Sequence, residues 1–562
     1  MPEGTEQQAG NPASSFALAL LDRLIANGVR FAVVAPGSRS QALALAAAEL
    51  ERQGKLTLAV RVDERAAGFT ALGLALESGT AVPIIVTSGT AVANLHPAML
   101  EAWHSGVPLI ALTADRPDEL RGVGANQATV QPGIFGPAAT WSIDVPAPQT
   151  LSDSTLALSL ADEIWRRAAP GTPDSAPVHV NVALRDPLSG NAAPVPHARD
   201  VMVQERTAPA ALPLPDPFRA IVVAGAGAGL EAEQFARAAG LPLVAEVASG
   251  ARFGPQLVPA YRRLLADPDF GGSVRTVVVY GRPNLSREVS RLLTKDGVDT
   301  ILVRAPGAQQ FDPARRARIV DAIAPSSEPG DPAWVRAWIL AGRQAAAGDE
   351  DIPYRGGGAA ESNLASGRLA REELAALRAP VTRRFLVEAV WRASWPHDRL
   401  LLGASRLIRE ADDVVPGKRI RVHANRGLAG IDGTVSTALG IALATALEPK
   451  SAAGTTRVLL GDLTLLHDAG GLLLPVGDRR PRVQLIVGND RGGTIFDGLE
   501  VAGSTEEALF ERVVLTPQDV DIVALAAAYG WQHALVETRG DLDRALTSPP
   551  AGPSILEVPL PR

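Results

Sequence analysis

The sequence predicts an α/β protein made of three α/β domains with largely parallel sheets, and three observations carry that prediction. Apolar, strand-like runs end again and again in Gly, Ser or Asp just before helical patterns, the punctuation of strand–helix crossovers. The alternation comes in three blocks, separated by stretches without long apolar runs. The chain has 562 residues, too many for one ordinary core.

In the first block, residues 1–190, the amphipathic "FALALLDRLIANGV" is followed by "RFAVVAPGS". Next come "LTLAVRVDE" with "RAAGFTALGLALESG", then "AVPIIVTSG" with "TAVANLHPAMLEAWHSG". "VPLIALTADRP" and "PVHVNVALRDPL" close the block. Residues 191–217 are rich in Pro and Ala and read as a connector. The second block, 218–355, opens with "RAIVVAGAGAGLEAEQFARAAG" and continues through "LPLVAEVAS", "VRTVVVYGR" and "DTILVRAPG". Its "GAGAGL" fits a nucleotide-binding turn and close backbone packing alike, and no acidic ribose partner follows. A break near residues 348–364 leads into the third block, 356–562. There "DRLLLGASRL", "RIRVHANRG", "TRVLLGDLTLLHD", "RVQLIVGNDRGG" and "VDIVALAAAYGW" repeat the pattern. Polar or Gly-rich residues end its strands, where an open α/β sheet presents its ligand crevice.

Composition excludes several classes. A 46% hydrophobic, 20% charged chain of net charge -7 is that of a soluble globular protein, and its scattered arginines form no nucleic-acid-binding block. With no cysteine there is no disulfide, thiolate nucleophile, cysteine-ligated zinc or iron–sulfur cluster. The eight histidines show no metal-ligand spacing, and "VTSGTA" lacks the nucleophile-elbow pattern of a hydrolase. The start has no secretory signal and no apolar run is convincing as a membrane span, so a cytoplasmic enzyme without stable membrane insertion is expected.

Three acids stand out. Glu64, in "RVDERAAGF", lies between a strand pattern and a helix pattern, where an acid either complements the helix dipole or does chemistry. Asp462 and Asp490 each end a strand pattern, and their spacing allows a strand–helix–strand crossover that brings both to one sheet edge. Two carboxylates with the Gly492 carbonyl and phosphate oxygens suit a hard cation such as Mg²⁺, and Thr464 offers a hydroxyl to phosphate. Two capped loops account for the same residues without a metal.

These motifs resemble those of thiamine diphosphate enzymes, whose diphosphate motif begins Gly-Asp-Gly and ends Asn-Asn. Here Leu463 stands at the third Gly and Asp490 at the second Asn, where a carboxylate is a competent ligand that adds negative charge. "VVAPGSRSQALALA", "VDERAAGFTALGLA", "TSGTAVANLHPAMLEA", "TADRPDELRGVGANQATVQPGIF", "HANRGLAGIDGTVSTALGIA" and "GDLTLLHD" narrow the likeness. Their order is similar to that of the 2-succinyl-5-enolpyruvyl-6-hydroxy-3-cyclohexene-1-carboxylate synthase family of menaquinone biosynthesis. The resemblance covers the first and third blocks, while the middle contributes little.

The resemblance implies thiamine diphosphate enzyme architecture: a pyrimidine-binding domain at 1–190, a linker at 191–217, a central domain at 218–355 and a diphosphate-binding domain at 356–562. It implies a transferase that decarboxylates 2-oxoglutarate and adds the succinyl carbanion 1,4 to isochorismate, using thiamine diphosphate with Mg²⁺, or Mn²⁺ in its place. Glu64 matches the acid that hydrogen-bonds the aminopyrimidine, and an apolar site should raise its pKa. In the family that acid and the diphosphate motif come from different subunits, so a homodimer is the minimum and a homotetramer is compatible. Asp462, Asp490 and Gly492 match the metal ligands. Ser405, Leu463 and Thr464 match positions near the diphosphate, Ile431 the prop beneath the bent cofactor, and Ile495 and Phe496 its apolar walls. Both substrates carry two carboxylates, for which Ser38, Arg39, Arg116, Asn126, Gln127, Arg409 and Arg426 match polar pocket positions. Glu288, beside Arg287, replaces the second member of a basic pair. An acetohydroxyacid-synthase-like or other 2-oxoacid decarboxylase or carboligase is the alternative.

Overall fold

The computed structural model describes residues 10–195, 209–347, 372–548 and 551–562. The expected break at 348–364 lies outside the described residues, as does part of the expected connector. Strands β1 (Phe31–Val34), β2 (Thr57–Val60), β3 (Val82–Val86), β4 (Leu109–Asp115), β5 (Trp141–Val145) and β6 (Val178–Ala183) form the first sheet. Its order is β2-β1-β3-β4-β6-β5, parallel throughout. After the short β7 (Leu212–Pro213) come β8 (Ala220–Ala224), β9 (Leu243–Ala245), β10 (Thr276–Tyr280), β11 (Asp299–Val303) and β12 (Arg318–Val320). They make a parallel central sheet in the order β12-β11-β10-β8-β9, and β13 (Ile323–Ala324) pairs with β7.

The third sheet holds β14 (Arg399–Leu402), β15 (Arg421–His423), β16 (Thr456–Gly461), β17 (Val483–Asn489), β18 (Gln532–Leu535) and β19 (Ser554–Pro559). Its order, β15-β14-β16-β17-β19-β18, repeats that of the first sheet. In both, the winding reverses between the first and third strands, and the crevice outside the carboxyl ends at that switch is where such folds bind ligands. β5 escaped the sequence reading because it is an edge strand with one covered face, so its apolar run is interrupted. In the "GAGAGL" turn, a Cβ on Gly225 would lie 2.0 Å from the Pro283 nitrogen, and Ala226 bridges to Arg282. That turn is used for backbone packing.

The helix Glu64–Ser78 starts where the Asp63 carboxylate accepts the Arg65 and Ala66 N–H groups, and ends at left-handed Gly79. It has no polar face because the first sheet covers one side and the helix Thr434–Thr445 of the third block covers the other. The two helices meet backbone to backbone. A Cβ at Gly73 would lie 2.0 Å from the Thr437 carbonyl oxygen, and one at Gly440 would lie 2.1 Å from that of Thr70.

At the end of the same helix, buried Glu77 accepts Arg399 Nε at 2.7 Å, Arg421 Nη1 at 2.9 Å and, across 3.0 Å, pairs with His423 Nε2. Burial opposes its ionisation, yet His423, Arg421 and Arg399 together hold the carboxyl below its ordinary value. Replacing Gly73 by Ala forces these backbones apart and is expected to destabilise the protein by about 1–3 kcal/mol, measurable by denaturant unfolding.

Candidate active site

The third sheet assembles the acidic part of the site. Gly461 pairs in register with Gly488, so Asp462 and Asp490 leave adjacent strand ends side by side. Asp462 is 4% exposed and opens the short helix Asp462–His467, which also carries half-buried Leu463 and buried Thr464. Burial pushes the Asp462 carboxyl up to about 6, and the neighbouring Asp490 charge adds to the rise against hydrogen bonds from the Leu463 and Gly492 N–H groups. Asp490 accepts Arg383 Nη2 at 2.9 Å and the Thr494 hydroxyl. Gly492 has φ 142°, and a Cβ there would lie 2.6 Å from the Leu515 carbonyl oxygen, so glycine is required by both conformation and space.

These residues fit a hard divalent cation. Two carboxylates are brought together in a partly dry site, and no group of three or more His, Cys, Asp or Glu ligands exists among the described residues. An incomplete cage of this kind suits Mg²⁺, which keeps waters and phosphate oxygens in its shell.

Ser405 follows β14 and precedes the helix Arg406–Val414, but its side chain makes no capping hydrogen bond. A simple cap is therefore not its role here. Ile431 is half-buried in the loop before the Thr434 helix, and Ile495 is half-buried beside Phe496, which is 37% exposed. None of the three is a fully buried core residue.

The first sheet gathers Ser38, Arg39, Arg116, Asn126 and Gln127 at its carboxyl edge. Ser38 is exposed, whereas Arg39 donates to the Leu184 carbonyl at 2.9 Å and lies 3.6 Å from Asp186. Arg116 donates to the Ser88 hydroxyl and the Asn126 carbonyl, both at 2.7 Å. Gln127, at φ 56°, exchanges two 2.9 Å hydrogen bonds with Ser88, side chain to backbone in each direction. Burial first, then the Arg39 charge, hold Arg116 below its ordinary value. Sequence reasoning missed Ser88, the node of this set; its strand-end Ser-Gly was the available signal.

Arg409 donates to the Ser405 carbonyl at 2.8 Å. It is held below its ordinary value by burial and then by the positive charges of Arg426, Arg287 and Arg262. The central block thus adds Arg287, which the sequence left outside the site. Glu288 is engaged by Arg262 at 3.2 Å, which offsets the charge it introduces. Arg426 has a partner in the central block. Its buried guanidinium donates to Asn284 Oδ1 at 3.1 and 2.7 Å and to the Asn284 carbonyl at 3.1 Å, because the loop that carries it packs against the central block.

Glu64 is more open than Asp462. Within one chain it is half-buried, and Asn94 Nδ2 donates to it at 3.4 Å. No hydrogen bond among the described residues links it to Asp462 or Asp490. The helix it opens is packed at its first turn, where Ala66 and Ala67 are buried and Arg65 donates to the His467 carbonyl at 2.9 Å, while Glu64 itself stays partly open.

The family described as "Thiamine pyrophosphate enzyme, N-terminal TPP binding domain" matches residues 15–134. The crystal structure of benzoylformate decarboxylase from Polynucleobacter necessarius superposes with a TM-score of 0.66 at 16% identity, covering 97% of this chain and 98% of that one. At that identity the likeness concerns the fold alone. The family match and the full-length relatives make the chain a thiamine diphosphate-dependent enzyme.

The chain is 55% identical to the 2-succinyl-5-enolpyruvyl-6-hydroxy-3-cyclohexene-1-carboxylate synthase of Leifsonia xyli subsp. xyli, over 99% of this chain and 98% of the relative. It is 53% identical to the synthase of the same name from Clavibacter michiganensis subsp. michiganensis, over 100% and 98%. It belongs to that synthase family, and the match includes the middle block that had contributed little to the sequence reading.

A cation held by Asp462 and Asp490 needs both carboxylates ionised. Mg²⁺ affinity is therefore expected to weaken as the pH falls through about 6, where Asp462 takes up its proton, as calorimetric titration above and below that value will show.

Proposed function

We propose that this chain is a 2-succinyl-5-enolpyruvyl-6-hydroxy-3-cyclohexene-1-carboxylate synthase, which decarboxylates 2-oxoglutarate and adds the succinyl unit 1,4 to isochorismate. The observation that carries the reading is identity to such synthases along the whole chain. Arginines at both sheet edges support it, since each substrate brings two carboxylates and guanidinium groups bind carboxylates as two-pronged donors.

In this reading Asp462, Asp490 and the Gly492 carbonyl hold Mg²⁺, with Mn²⁺ as a substitute, against the diphosphate of the cofactor. Ser405, Leu463 and Thr464 line the diphosphate, and Ile431, Ile495 and Phe496 line the rings. Thiamine diphosphate, when bound, supplies the electron sink that lets a 2-oxo acid lose CO₂. The chain's own work is to hold charge and exclude water. Arg409, with Arg287 close by, binds substrate carboxylates on the side of the third sheet. Ser38, Arg39, Arg116, Asn126 and Gln127 do so at the first sheet, as does Arg426 from the loop that Asn284 holds.

Glu64 would hydrogen-bond the aminopyrimidine of the cofactor and hold the proton there. Because Glu64 is half-open within one chain, a second copy completes each site, and a homodimer is the minimal active form; a homotetramer is compatible. Among the described residues no helix is long and apolar enough to cross a membrane, and we place the reaction in the cytoplasm.

The test is purified protein with thiamine diphosphate, Mg²⁺, 2-oxoglutarate and isochorismate. The expected result is adduct and CO₂ in equal amounts. Cofactor binding without adduct, or turnover with simple aldehydes in preference to isochorismate, overturns the reading. Glu64→Gln is expected to lower kcat by about 10²- to 10⁴-fold with cofactor affinity retained, as steady-state rates and cofactor titration will show.

A further inference from the structure

The loop between β15 and the Thr434 helix, residues 424–433, carries both Arg426 and Ile431, and it is gripped from two neighbouring blocks. On one side is Glu101, in the helix His96–Ser105 of the first block. Its side chain is 5% exposed, and its two carboxylate oxygens accept the Gly427 and Leu428 N–H groups, each at 2.7 Å. It has no ion-pair partner among the described residues. A Cβ on Gly427 would lie 2.6 Å from the Glu101 carbonyl oxygen and 2.9 Å from its carboxyl group, so the loop rests directly on this helix.

On the other side is Asn284 of the central block. It accepts three hydrogen bonds from the Arg426 guanidinium and donates Nδ2 to the Arg426 carbonyl at 3.0 Å. Arg282, two residues earlier, reaches the Gly427 carbonyl at 3.5 Å. Three consecutive residues, Arg426 to Leu428, are thereby fixed by side chains from two other blocks.

A buried carboxylate is an expensive way to fill that space. Burial pushes the Glu101 acid above its ordinary value, and two charge-assisted hydrogen bonds are what offset the desolvation. A neutral amide would match one N–H and turn its own NH₂ toward the other. The charge is thus matched to one object, the pair of N–H groups at the crown of this loop.

We infer that Glu101 is a positioning residue of the reaction, acting through the Gly427–Leu428 backbone to set where Ile431 and Arg426 stand. This rests on the synthase reading, in which that loop lies against the cofactor and substrate. Glu101 touches neither. It fixes the loop from the block that also presents the first-sheet arginines, so both faces of the site share one register.

The experiment compares wild type with Glu101→Gln as full-length holoenzyme, after wild type has been shown to form the adduct. Absence of adduct in wild type counts against the synthase reading, whereas the comparison below bears on Glu101 alone. Hydrogen–deuterium exchange of the peptide spanning residues 424–433 is measured in the cofactor-free protein, with kinetics and thermal midpoint alongside. The expected result is faster exchange confined to that peptide, and kcat/KM lower by about 10- to 100-fold, the range for a misplaced catalytic group. The midpoint is expected to stay within about 3 °C, since only a local contact is lost.

Unchanged exchange in the loop, or unchanged kcat/KM in the folded variant, overturns the inference. So does a lowered midpoint with wild-type kcat/KM, which is the signature of a merely structural residue. If Glu101→Gln does not fold, Glu101→Asp keeps the charge but draws both carboxylate oxygens back by one methylene from the Gly427 and Leu428 N–H groups. The same local exchange and loss of kcat/KM are expected of it, and wild-type behaviour in both measurements overturns the inference.

Discussion

The crossing of the Glu64–Ser78 and Thr434–Thr445 helices is the contact on which the rest of the arrangement depends. At Gly73 and Gly440 each helix presses bare backbone against the other's carbonyl groups, at separations that leave no room for a side chain. Such an approach fixes two helices more tightly than interdigitating side chains, because nothing flexible lies between them. One helix begins with Glu64 and ends with the buried ion cluster of Glu77. The other begins just after the loop that holds Arg426 and Ile431. Glu64, Arg426 and Ile431 are thus referenced to a single rigid crossing.

Charge is managed around that crossing in two ways. The Asp462–Asp490 pair concentrates negative charge at adjacent strand ends, and the Asp at the second position of the motif, where Asn is usual, adds more. Arg383 offsets it directly with a 2.9 Å ion pair to Asp490, so the departure from the usual motif has its compensation in a helix more than one hundred residues upstream in sequence. The cations work in reverse. Arg409 lies in the field of three other arginines, a repulsion worth keeping where anionic ligands relieve it. Glu288 pairs with Arg262 and so offsets part of that field, leaving Arg287 and Arg426 as its other sources.

Much of the fold was legible because parallel sheets buried on both faces write long apolar runs, and their ends write Gly, Ser and Asp. β4 and β17 were readable for that reason, whereas the edge strands β5 and β18 carry broken apolar patterns and were not. At the site, the Asp462–Asp490 pair and Ser405 could be found from strand-end punctuation and motif order. Ser88 left only its strand-end Ser-Gly, and Glu101 left nothing. Each acts by binding backbone groups of a loop distant in sequence, a relation that short-range spacing does not record.

The sequence by itself determined the kind of sheet, the positions of the strand ends and the chemistry gathered there, because all three follow from periodicity and residue type over short spans. Tertiary structure decided which partners those residues meet. Arg426 carries no local mark of its partner, and only the packing of the central block against its loop brings it to Asn284. Glu64 is likewise an acid at a helix start in either setting. Whether it is enclosed depends on what covers that helix end, and long-range packing, not local sequence, settles that.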